Sequence, residues 1–523
     1  MSLTPFDRVL VANRGEIAVR VLRGIQELGG HGIAVYSEAD TRALHVRRSD
    51  EAHLIGPADP GQSYLDIGSI LDAAKQSGAE AVHPGYGFLS ENADFARAVE
   101  AAGLVFIGPS AEAMDALGSK RAAKEIAESA GVPIVPGFDG KNASNEEFLA
   151  AAKRIGFPLL VKASAGGGGR GMRLVTREQD FLEALDAGRR EAEQAFGDDT
   201  MLLEKYLKPS RHVEIQIVGD GRGGAIALGE RECSVQRRHQ KVLEESPSPA
   251  LDEELRTRMQ DAAVALAKSV RYRNAGTVEF LVDESGAFYF LEVNTRLQVE
   301  HPVTEMVTGL DLVHLQLGLA AGQPLEELVP GGRPVLRGHA LEARICAEDP
   351  EAGFLPMGGR LEICVEPAGP GVRVDSGVYM GFEVPVHYDS MLAKVIVHAP
   401  DRATSLLRMQ GVLSHSAWLG VPTNVDFLLG VIAHPAFQAG ELRTDFLEVY
   451  EELDPSKRSG AKPLPDEALI AAALAGAFRH GEGPALEKSG TKSDPHSPWD
   501  AGDHYRLGRG HLGAAQADGR KQA

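Results

Sequence analysis

Two glutamates on a predicted hairpin are the residues whose placement most directly suggests chemistry. Residues 276–296 read GTVEFLVDESGAFYFLEVNTR, two apolar-rich strands around a DESG turn, which predicts a β-hairpin. If the Ser-Gly pair of that turn is a two-residue loop, Glu279 lies directly opposite Glu292. Like charges paired across strands repel, and a divalent cation between them removes the repulsion. Asn294 lies on the same face, so the three side chains form an oxygen site suited to Mg²⁺ or Mn²⁺. The alternative is two glutamates that both face solvent.

A run of four glycines, Gly166 to Gly169, lies between two segments with strand character, 157–163 and 172–175. Glycines let backbone N–H groups approach a polyphosphate closely, and Lys162 and Arg170 add positive charge. The run joins a predicted hairpin and does not open a helix, so it differs from a P-loop and from a dinucleotide-binding turn. A surface hairpin without a ligand is the alternative interpretation.

A basic cluster follows in the segment ERECSVQRRHQKVLEE, which brings Arg237, Arg238, His239 and Lys241 close together. The formal net charge of the chain is −20, which argues against a nucleic-acid backbone as the main partner. A local cluster of cations can still bind a small anion in such a chain. A solvated charged face explains the cluster equally well when it is considered alone.

The elements that position these residues begin with an alternation of strands and helices. A strand is predicted at 8–12, a helix with apolar spacing at 16–28, and a second strand at 32–36. This β-α-β order predicts an open parallel α/β sheet. The turn after the first strand is NRGE and lacks the glycine pattern of a dinucleotide site.

Further along the chain, a helix is predicted at 119–130. Strand-like runs with Gly and Pro turns resume near 338 and end near 448. An Ala/Leu helix is predicted at 467–478, before a polar tail whose last dozen or so residues are expected to be disordered.

Length and composition limit the class of protein. The 523 residues suffice for three or four domains. The absence of an 18-residue apolar run predicts no transmembrane helix, and the first residues lack the pattern of a secretory signal. The three cysteines show no metal-type spacing, so we expect a reduced, cytoplasmic location.

Long motifs in this chain resemble those of the ATP-grasp biotin carboxylases, over about residues 5–450. They are ANRGEIAVR, HPGYGFLSEN, KASAGGGGRGM, EKYL, RHVEIQ, QRRHQK, EVNTRLQVEHPVTE and EARICAEDP. The resemblance implies a combined α/β and α+β fold in four parts. These parts are an N-terminal open parallel α/β domain (1–118), an ATP-grasp domain (119–335) with a mobile lid at about 135–204, a C-terminal mixed β-rich domain (336–448), and a helical, partly disordered tail (449–523) that begins a truncated linker domain.

The resemblance also implies roles for individual residues. The implied ATP contacts are Lys120, Lys162, Gly168, Gly169, Glu204, Lys205, Tyr206, Leu207, His212, Gln236, His239, Glu279 and Glu292. The implied metal ligands are Glu279, Glu292 and Asn294, in agreement with the hairpin argument. Lys241, Arg296, Gln298 and Val299 would bind bicarbonate, and the catalytic set would be Lys241, Arg296, Glu300 and Arg344. In that set Glu300 would deprotonate bicarbonate, and Arg344 would bind biotin and stabilise its enolate form.

The implied activity is the first half-reaction of an acyl-CoA carboxylase: bicarbonate is activated by ATP through carboxyphosphate and then carboxylates protein-linked biotin. None of the ten methionines precedes a lysine, so we expect biotin on another polypeptide or on a region that this chain lacks. The expected partners are a biotin carboxyl carrier protein or biotinyl domain, a carboxyltransferase subunit and a second copy in a homodimer, with no nucleic acid and no membrane. The segment DPHSPWDAGDHYRL resembles alpha subunits of the methylcrotonyl-CoA carboxylase type.

Two other functions stay open at this point. The first is another ATP-grasp ligase, with a different substrate on the same fold. The second is a catalytically silent subunit that only scaffolds a carboxylase, which is disfavoured because every implied catalytic position is filled.

Overall fold

The computed structural model describes residues 5–140, 143–163, 172–196, 198–207, 209–238 and 240–457, together with 469, 470 and 474. The chain divides into two units, Met1–Arg458 and Ser459–Ala523. In the second unit the described residues are helical and exposed: Leu469, Ile470 and Leu474. The glycine run, His239, most of the helix predicted at 467–478 and the polar tail lie outside the described residues.

The N-terminal part contains a five-stranded parallel sheet with the strand order β3-β2-β1-β4-β5. Its elements are β1 (Arg8–Val11), α1 (Gly15–Glu27), β2 (His31–Ser37), α2 (Leu44–Arg48), β3 (Glu51–Gly56), α3 (Ile67–Gln76), β4 (Ala81–His83), α4 (Ala93–Ala101), β5 (Val105–Phe106), α5 (Ala111–Gly118) and α6 (Lys120–Ser129). The predicted β-α-β unit is confirmed, because α1 buries Ile17, Val21 and Leu22 in a core that also holds residues of β1.

A four-stranded antiparallel sheet of order β6-β9-β7-β8 follows. Its elements are β6 (Gly137–Asp139), α7 (Asn145–Ile155), β7 (Leu159–Ala163), β8 (Met172–Val175), α8 (Phe181–Phe196) and β9 (Met201–Lys205). Helix α7 begins with a capping box between Ser144 and Glu147. Strands β7 and β8 pair antiparallel, as the sequence predicts for the strands on either side of the glycine run.

The central part contributes long antiparallel strands and the helices that pack on them. These are β10 (Ser210–Asp220), β11 (Ala225–Arg237), β12 (Gln240–Ser246), α9 (Glu253–Ser269), β13 (Arg273–Asp283), β14 (Phe288–Asn294), α10 (His301–Thr308), α11 (Leu312–Ala320) and α12 (Leu325–Leu328). Apolar residues of α9, including Met259 and Leu266, share a core with Val213 of β10 and Phe280 of β13.

The C-terminal part is mixed. Its elements are β15 (His339–Cys346), β16 (Glu348–Asp349), β17 (Leu355–Pro356), β18 (Gly359–Arg360), β19 (Ile363–Val365), β20 (Val372–Ser376), β21 (Glu383–Val384), β22 (Met391–Ala399), α13 (Arg402–Ser414), β23 (Ala417–Leu419), α14 (Val425–Ala433), α15 (Pro435–Gln438) and α16 (Phe446–Val449). The strand-like runs predicted for this part alternate with helices α13 and α14, which were not predicted. Met409 of α13 and Leu428 of α14 share a core with residues of β15 and β22.

One eight-stranded sheet, β14-β13-β10-β11-β12-β15-β22-β20, joins the central and C-terminal parts. The connection is the antiparallel pairing of β12 with β15, in which Glu244 is opposite Glu342. Side chains from all six strands β10 to β15 of this sheet contribute to the site described below. Among the described residues, no helix is long and apolar enough to cross a membrane.

Candidate active site

The hairpin of β13 and β14 places Glu279 directly opposite Glu292, and Thr277 opposite Asn294. This predicted pairing is confirmed, but the predicted two-residue loop is wrong. The Asp283 N–H donates to the Ala287 carbonyl oxygen at 2.9 Å, which leaves three residues in the loop. Between the Glu279 pair and the turn, the pairing is shifted by one residue relative to that of a two-residue loop. The shift is a bulge, in which β14 has one extra residue between the partners of Glu279 and Phe280. The longer loop and the bulge cancel, so the two glutamates still face each other.

Glu279 lies among four donors. One carboxylate oxygen is 2.8 Å from His212 Nε2, and the other accepts from Lys241 Nζ at 2.9 Å, Asn294 Nδ2 at 2.8 Å and Gln298 Nε2 at 3.1 Å. Burial acts to raise the pKa of Glu279, but the charges of Lys241 and His212 hold this pKa well below its usual range.

Glu292 has the opposite electrostatic environment. Burial, and next the negative charge of Glu279, raise the pKa of Glu292 above its usual value. A divalent cation between the two carboxylates would reverse this repulsion, so the pair fits a metal ion. Asn294 directs its amide N–H to Glu279 and its oxygen to Arg296, 3.1 Å away, so it must rotate its amide to offer an oxygen ligand.

Lys241 connects the hairpin with the rest of the site. Its Nζ atom is 2.5 Å from Glu214, 2.9 Å from Glu279 and 2.6 Å from Glu300. Burial opposes the charge of this ammonium, but the three carboxylates raise the pKa of Lys241 well above its usual value. Glu214 is fully buried and is also 2.5 Å from Arg231, which has no exposed surface. One lysine therefore holds three carboxylates that would otherwise repel one another.

Glu300 is fully buried immediately before α10 and binds two cations. Besides Lys241, its carboxylate accepts from Arg344 at 2.9 Å, and Arg344 also donates to Glu244 at 2.6 Å. Burial acts to raise the pKa of Glu300, but Lys241 and Arg344 hold this pKa well below its usual range. Glu300 is therefore ionised at neutral pH, and it becomes a stronger base when a bound anion competes for its cations.

Arg296 lies at the edge of this cluster. Its guanidinium is 3.0 Å from Glu91, and it donates to Gln298 at 3.0 Å and to Asn294 at 3.1 Å. The structure thus brings together the hairpin acids and the residues that the sequence analysis assigned to bicarbonate. These are Lys241, Arg296, Gln298 and Val299, and Glu300, which was assigned as the base, follows Val299 directly.

The residues assigned to ATP form two groups. In the first, Lys162 of β7 and Lys124 of α6 both form ion pairs with Glu204 of β9. Burial, and then the neighbouring cations that include Lys120, lower the pKa of Lys162 to about 8. Lys205 instead donates to the backbone carbonyls of residues 156 and 157, at 3.1 and 3.2 Å, and Tyr206 and Leu207 follow β9.

In the second group, Gln236 Nε2 is 2.7 Å from Nδ1 of His212, whose other ring nitrogen faces Glu279. Gly168, Gly169 and His239 lie outside the described residues.

Several site residues were missed by the sequence analysis: Lys124, Glu214, Arg231, Glu244 and Lys394. A signal existed for Glu214, because His212, Glu214 and Gln216 alternate with the apolar residues Val213 and Ile215, which places the three polar side chains on one face of the strand. Lys394 similarly interrupts the apolar strand MLAKVIVHA. A charged residue inside an apolar run is expensive to bury unless it is paired, so such positions indicate partners elsewhere in the chain.

Comparisons with known proteins agree along most of the chain. The profile "Biotin carboxylase, N-terminal domain" matches residues 5–114, "Carbamoyl-phosphate synthase L chain, ATP binding domain" matches 119–328, and "Biotin carboxylase C-terminal domain" matches 342–449. A biotin carboxylase from Nostoc sp. is 50% identical over 443 residues, which cover 85% of this chain and 99% of the relative. The mitochondrial methylcrotonoyl-CoA carboxylase subunit alpha of Dictyostelium discoideum is 46% identical over 510 residues, which cover 97% of this chain and 71% of the relative.

Solved structures show the same likeness. The biotin carboxylase–β,γ-ATP complex from Campylobacter jejuni has a TM-score of 0.80 and 45% identity, covering 85% of this chain and 99% of that chain. The biotin carboxylase domain dimer of Hydrogenobacter thermophilus 2-oxoglutarate carboxylase, in complex with MgADP, ADP and bicarbonate, has a TM-score of 0.80 and 44% identity, covering 87% of this chain and 99% of that chain.

Proposed function

Because the chain belongs to the biotin carboxylase family and is therefore an ATP-dependent ligase that carboxylates biotin, we propose that the cluster around Lys241 is where it does so. The observation that carries this proposal is the contact of one buried ammonium with Glu214, Glu279 and Glu300. Lys241 therefore contacts both Glu279, an acid of the proposed metal site, and Glu300, the proposed base.

Lys241, Arg296, Gln298 and Val299 would bind bicarbonate. The planar guanidinium of Arg296 matches a planar anion, because its fork can donate to two oxygens at once. A bicarbonate oxygen attacks the γ-phosphorus of ATP, the bond to the β-phosphate oxygen breaks, and ADP leaves. Glu300 accepts the bicarbonate proton, and the product is carboxyphosphate. Competition of the bound anion for Lys241 raises the pKa of Glu300 and so strengthens this base.

ATP would be held by the residues that the family resemblance assigns to it. These residues are Lys120, Lys162, Gly168, Gly169, Glu204, Lys205, Tyr206, Leu207, His212, Gln236, His239, Glu279 and Glu292. Lys162 forms an ion pair with Glu204, so it must leave this carboxylate when it binds a phosphate group of ATP. When bound at Glu279, Glu292 and Asn294, Mg²⁺ or Mn²⁺ would supply charge neutralisation for the phosphates. A lid at about 135–204 would exclude water from carboxyphosphate.

Carboxyphosphate then releases CO₂, and the phosphate removes the proton from N1 of biotin. Arg344 would stabilise the resulting negative charge on the biotin ureido oxygen, because a fixed cation costs no reorganisation when that charge develops. N1 attacks CO₂ and forms the new C–N bond. Arg344 also forms an ion pair with Glu300, which is the base of the first step. The same arginine therefore contacts groups that act in both steps.

The domains and partners that we propose rest on the same family membership. We propose an N-terminal domain at 1–118, an ATP-grasp domain at 119–335, a C-terminal domain at 336–448 and a linker segment from 449 onward. The biotin would be carried by a biotin carboxyl carrier protein or biotinyl domain, and a carboxyltransferase subunit would complete the acyl-CoA carboxylase. Support comes from relatives that are named alpha subunits and from a dimeric structural neighbour, so we also propose a homodimer. A cytoplasmic location is proposed from the cysteine pattern.

The test is release of ADP from ATP by the purified chain, with bicarbonate and free biotin added separately. We expect ADP release to require bicarbonate and a divalent cation, and to increase when biotin is added. A ligase with another substrate would release ADP at a rate that biotin leaves unchanged, and a scaffold subunit would release none. Either result would contradict the proposal.

A further inference from the structure

Lys394 is a fully buried lysine in the middle of the apolar strand β22. Taking an ammonium out of water costs several kcal/mol unless its donors are satisfied. Its Nζ atom donates to the backbone carbonyl of Val299 at 2.8 Å and is 3.3 Å from the carboxylate of Glu16. It also lies 5.8 Å from the ring centroid of Tyr86, whose hydroxyl donates to Glu16. These contacts hold the ammonium group of Lys394 in one position.

Lys394 pairs across the sheet with Arg344 of β15 on one side and with Asp375 of β20 on the other. Two cations directly opposite each other on adjacent strands repel unless each has its own acceptor. Arg344 donates to the side chain of Glu300 at 2.9 Å, whereas Lys394 donates to the carbonyl of the preceding residue. The two cations therefore bind two consecutive residues, Val299 and Glu300, of the segment 298–300.

By binding the Val299 carbonyl, Lys394 fixes the orientation of the whole peptide group that contains it. The Val299 carbonyl and the Glu300 N–H belong to one planar peptide group. Glu300 is the N-cap residue of α10 and makes no side-chain capping bond, so its carboxylate is free to point toward Lys241 and Arg344. The orientation of that peptide plane therefore sets the direction in which the Glu300 side chain leaves the backbone.

We propose that Lys394 is a positioning residue that orients the Glu300 carboxylate by holding the Val299 carbonyl. This inference rests on the proposed role of Glu300 as the base. Lys394 touches no substrate and acts through the peptide between Val299 and Glu300. Through Glu16 of α1 it also makes the geometry of the base depend on the N-terminal part of the chain.

The test is Lys394→Met, which keeps the length of the side chain and removes its donors. Misplacing a catalytic group by about 1 Å costs on the order of 100-fold in rate. We expect bicarbonate-dependent ADP release to fall about 10- to 100-fold. The stoichiometry of ADP binding should stay close to that of the unchanged chain, because Lys394 is not among the residues assigned to ATP. Lys394→Arg restores a cationic donor and should recover most of the lost rate.

Arg402→Met is the matched control. Arg402 is also a mostly buried cation, bonded to Glu245 at 2.7 Å and to backbone carbonyls of residues 437 and 438. It does not contact the segment 298–300, so this variant should lower the thermal midpoint and leave the bicarbonate-dependent rate within about twofold.

A double variant keeps the test decisive if Lys394→Met alone does not fold. Replacing Glu16 by Gln together with Lys394→Met removes the buried ion pair as a unit, which disturbs folding less than leaving one charge unpaired. It should show the same loss of bicarbonate-dependent rate, because the Val299 contact is absent in both variants. A folded Lys394→Met or double variant with a rate within about threefold of the unchanged chain would overturn the proposal. An unchanged chain without bicarbonate-dependent ADP release would instead refute the proposed function itself.

Discussion

Replacing Lys241 by Met removes the one cation that is shared by three buried carboxylates. The variant loses the contacts with Glu214 at 2.5 Å, Glu279 at 2.9 Å and Glu300 at 2.6 Å. Met occupies a similar volume, so the change is mainly electrostatic. Each carboxylate keeps one other cation, since Arg231 stays beside Glu214, His212 beside Glu279 and Arg344 beside Glu300.

The magnitude follows from these remaining partners. Removing one member of a buried charge pair destabilises a protein by about 3–5 kcal/mol. Because no carboxylate is left without a cation, we expect the lower end, about 3 kcal/mol of unfolding free energy. Glu279 and Glu300 have depressed pKa values in the folded chain, so they contribute stability above their unfolded pKa of about 4.3 and lose it as pH falls. The difference between the two proteins should therefore be largest above about pH 4.3 and shrink below it.

Denaturant unfolding at several pH values measures this difference, and ADP release measures the catalytic effect. Loss of a preorganised donor in an active site costs on the order of 100- to 1,000-fold in rate, which we expect for the bicarbonate-dependent reaction. Lys457→Met is the control, because Lys457 forms an exposed ion pair with Glu451 and its loss should leave the free energy of unfolding nearly unchanged. A Lys241→Met variant as stable and as active as this control would refute the central role of the cluster.

Three other changes test other parts of the site. Glu292→Gln removes one carboxylate of the opposed pair, so the Mg²⁺ concentration for half-maximal ADP release should rise about tenfold or more; an unchanged metal dependence would contradict the paired-glutamate site. Arg344→Ala should abolish carboxylation of free biotin while nucleotide binding measured by calorimetry persists, and loss of ADP binding would contradict its assignment to biotin. Burial and nearby cations lower the pKa of both Lys124 and Lys162 to about 8. If these ammonium groups bind phosphate, the KM for ATP should rise up to about tenfold per pH unit above pH 8, whereas a flat KM would exclude that role.

The hairpin shows how local sequence can predict a site for a partly wrong reason. Alternation and the DESG turn were sufficient to place Glu279 opposite Glu292. The three-residue loop had a signal that was missed, since Asp283 at the start of a type I turn and Gly286 in the left-handed conformation at its end, with φ 77°, are typical of such a loop. The bulge in β14 had no comparable signal, because it depends on how the strands twist and pack. Because one deviation offsets the other, the predicted pairing held although the predicted turn did not.

The helices α13 and α14 and the residue Lys394 were missed for a different reason. The helices have apolar residues whose partners lie in β15 and β22, so tertiary packing decides their structure more than local pattern does. Lys394 meets Glu16, which is 378 positions earlier in the chain, and Val299, which is 95 positions earlier. Such contacts are visible only once the sheet has brought distant strands together.

The contact of Lys241 with Glu279 shows what the sheet must do to build this site. Lys241 lies on β12 and Glu279 on β13, and two strands, β10 and β11, separate them in the sheet. Three intervals of about 4.8 Å would place the two backbones about 14 Å apart in a flat sheet. Side chains leave a flat sheet roughly perpendicular to its plane, so a lysine and a glutamate at that separation would not meet. Their 2.9 Å contact therefore requires the sheet to curl around the site.

The irregularities of strand pairing account for that curvature. Register shifts occur between β10 and β11, between β11 and β12, and between β13 and β14, and bulges increase local twist and bend strands. All three pairs carry residues of the cluster: Glu214 and Arg231, Gln236 and Lys241, Glu279 and Glu292. The bulges are thus part of the active-site architecture. Because they leave little trace in the alternation of apolar and polar residues, sequence motifs could identify many members of this site but few of the contacts between them.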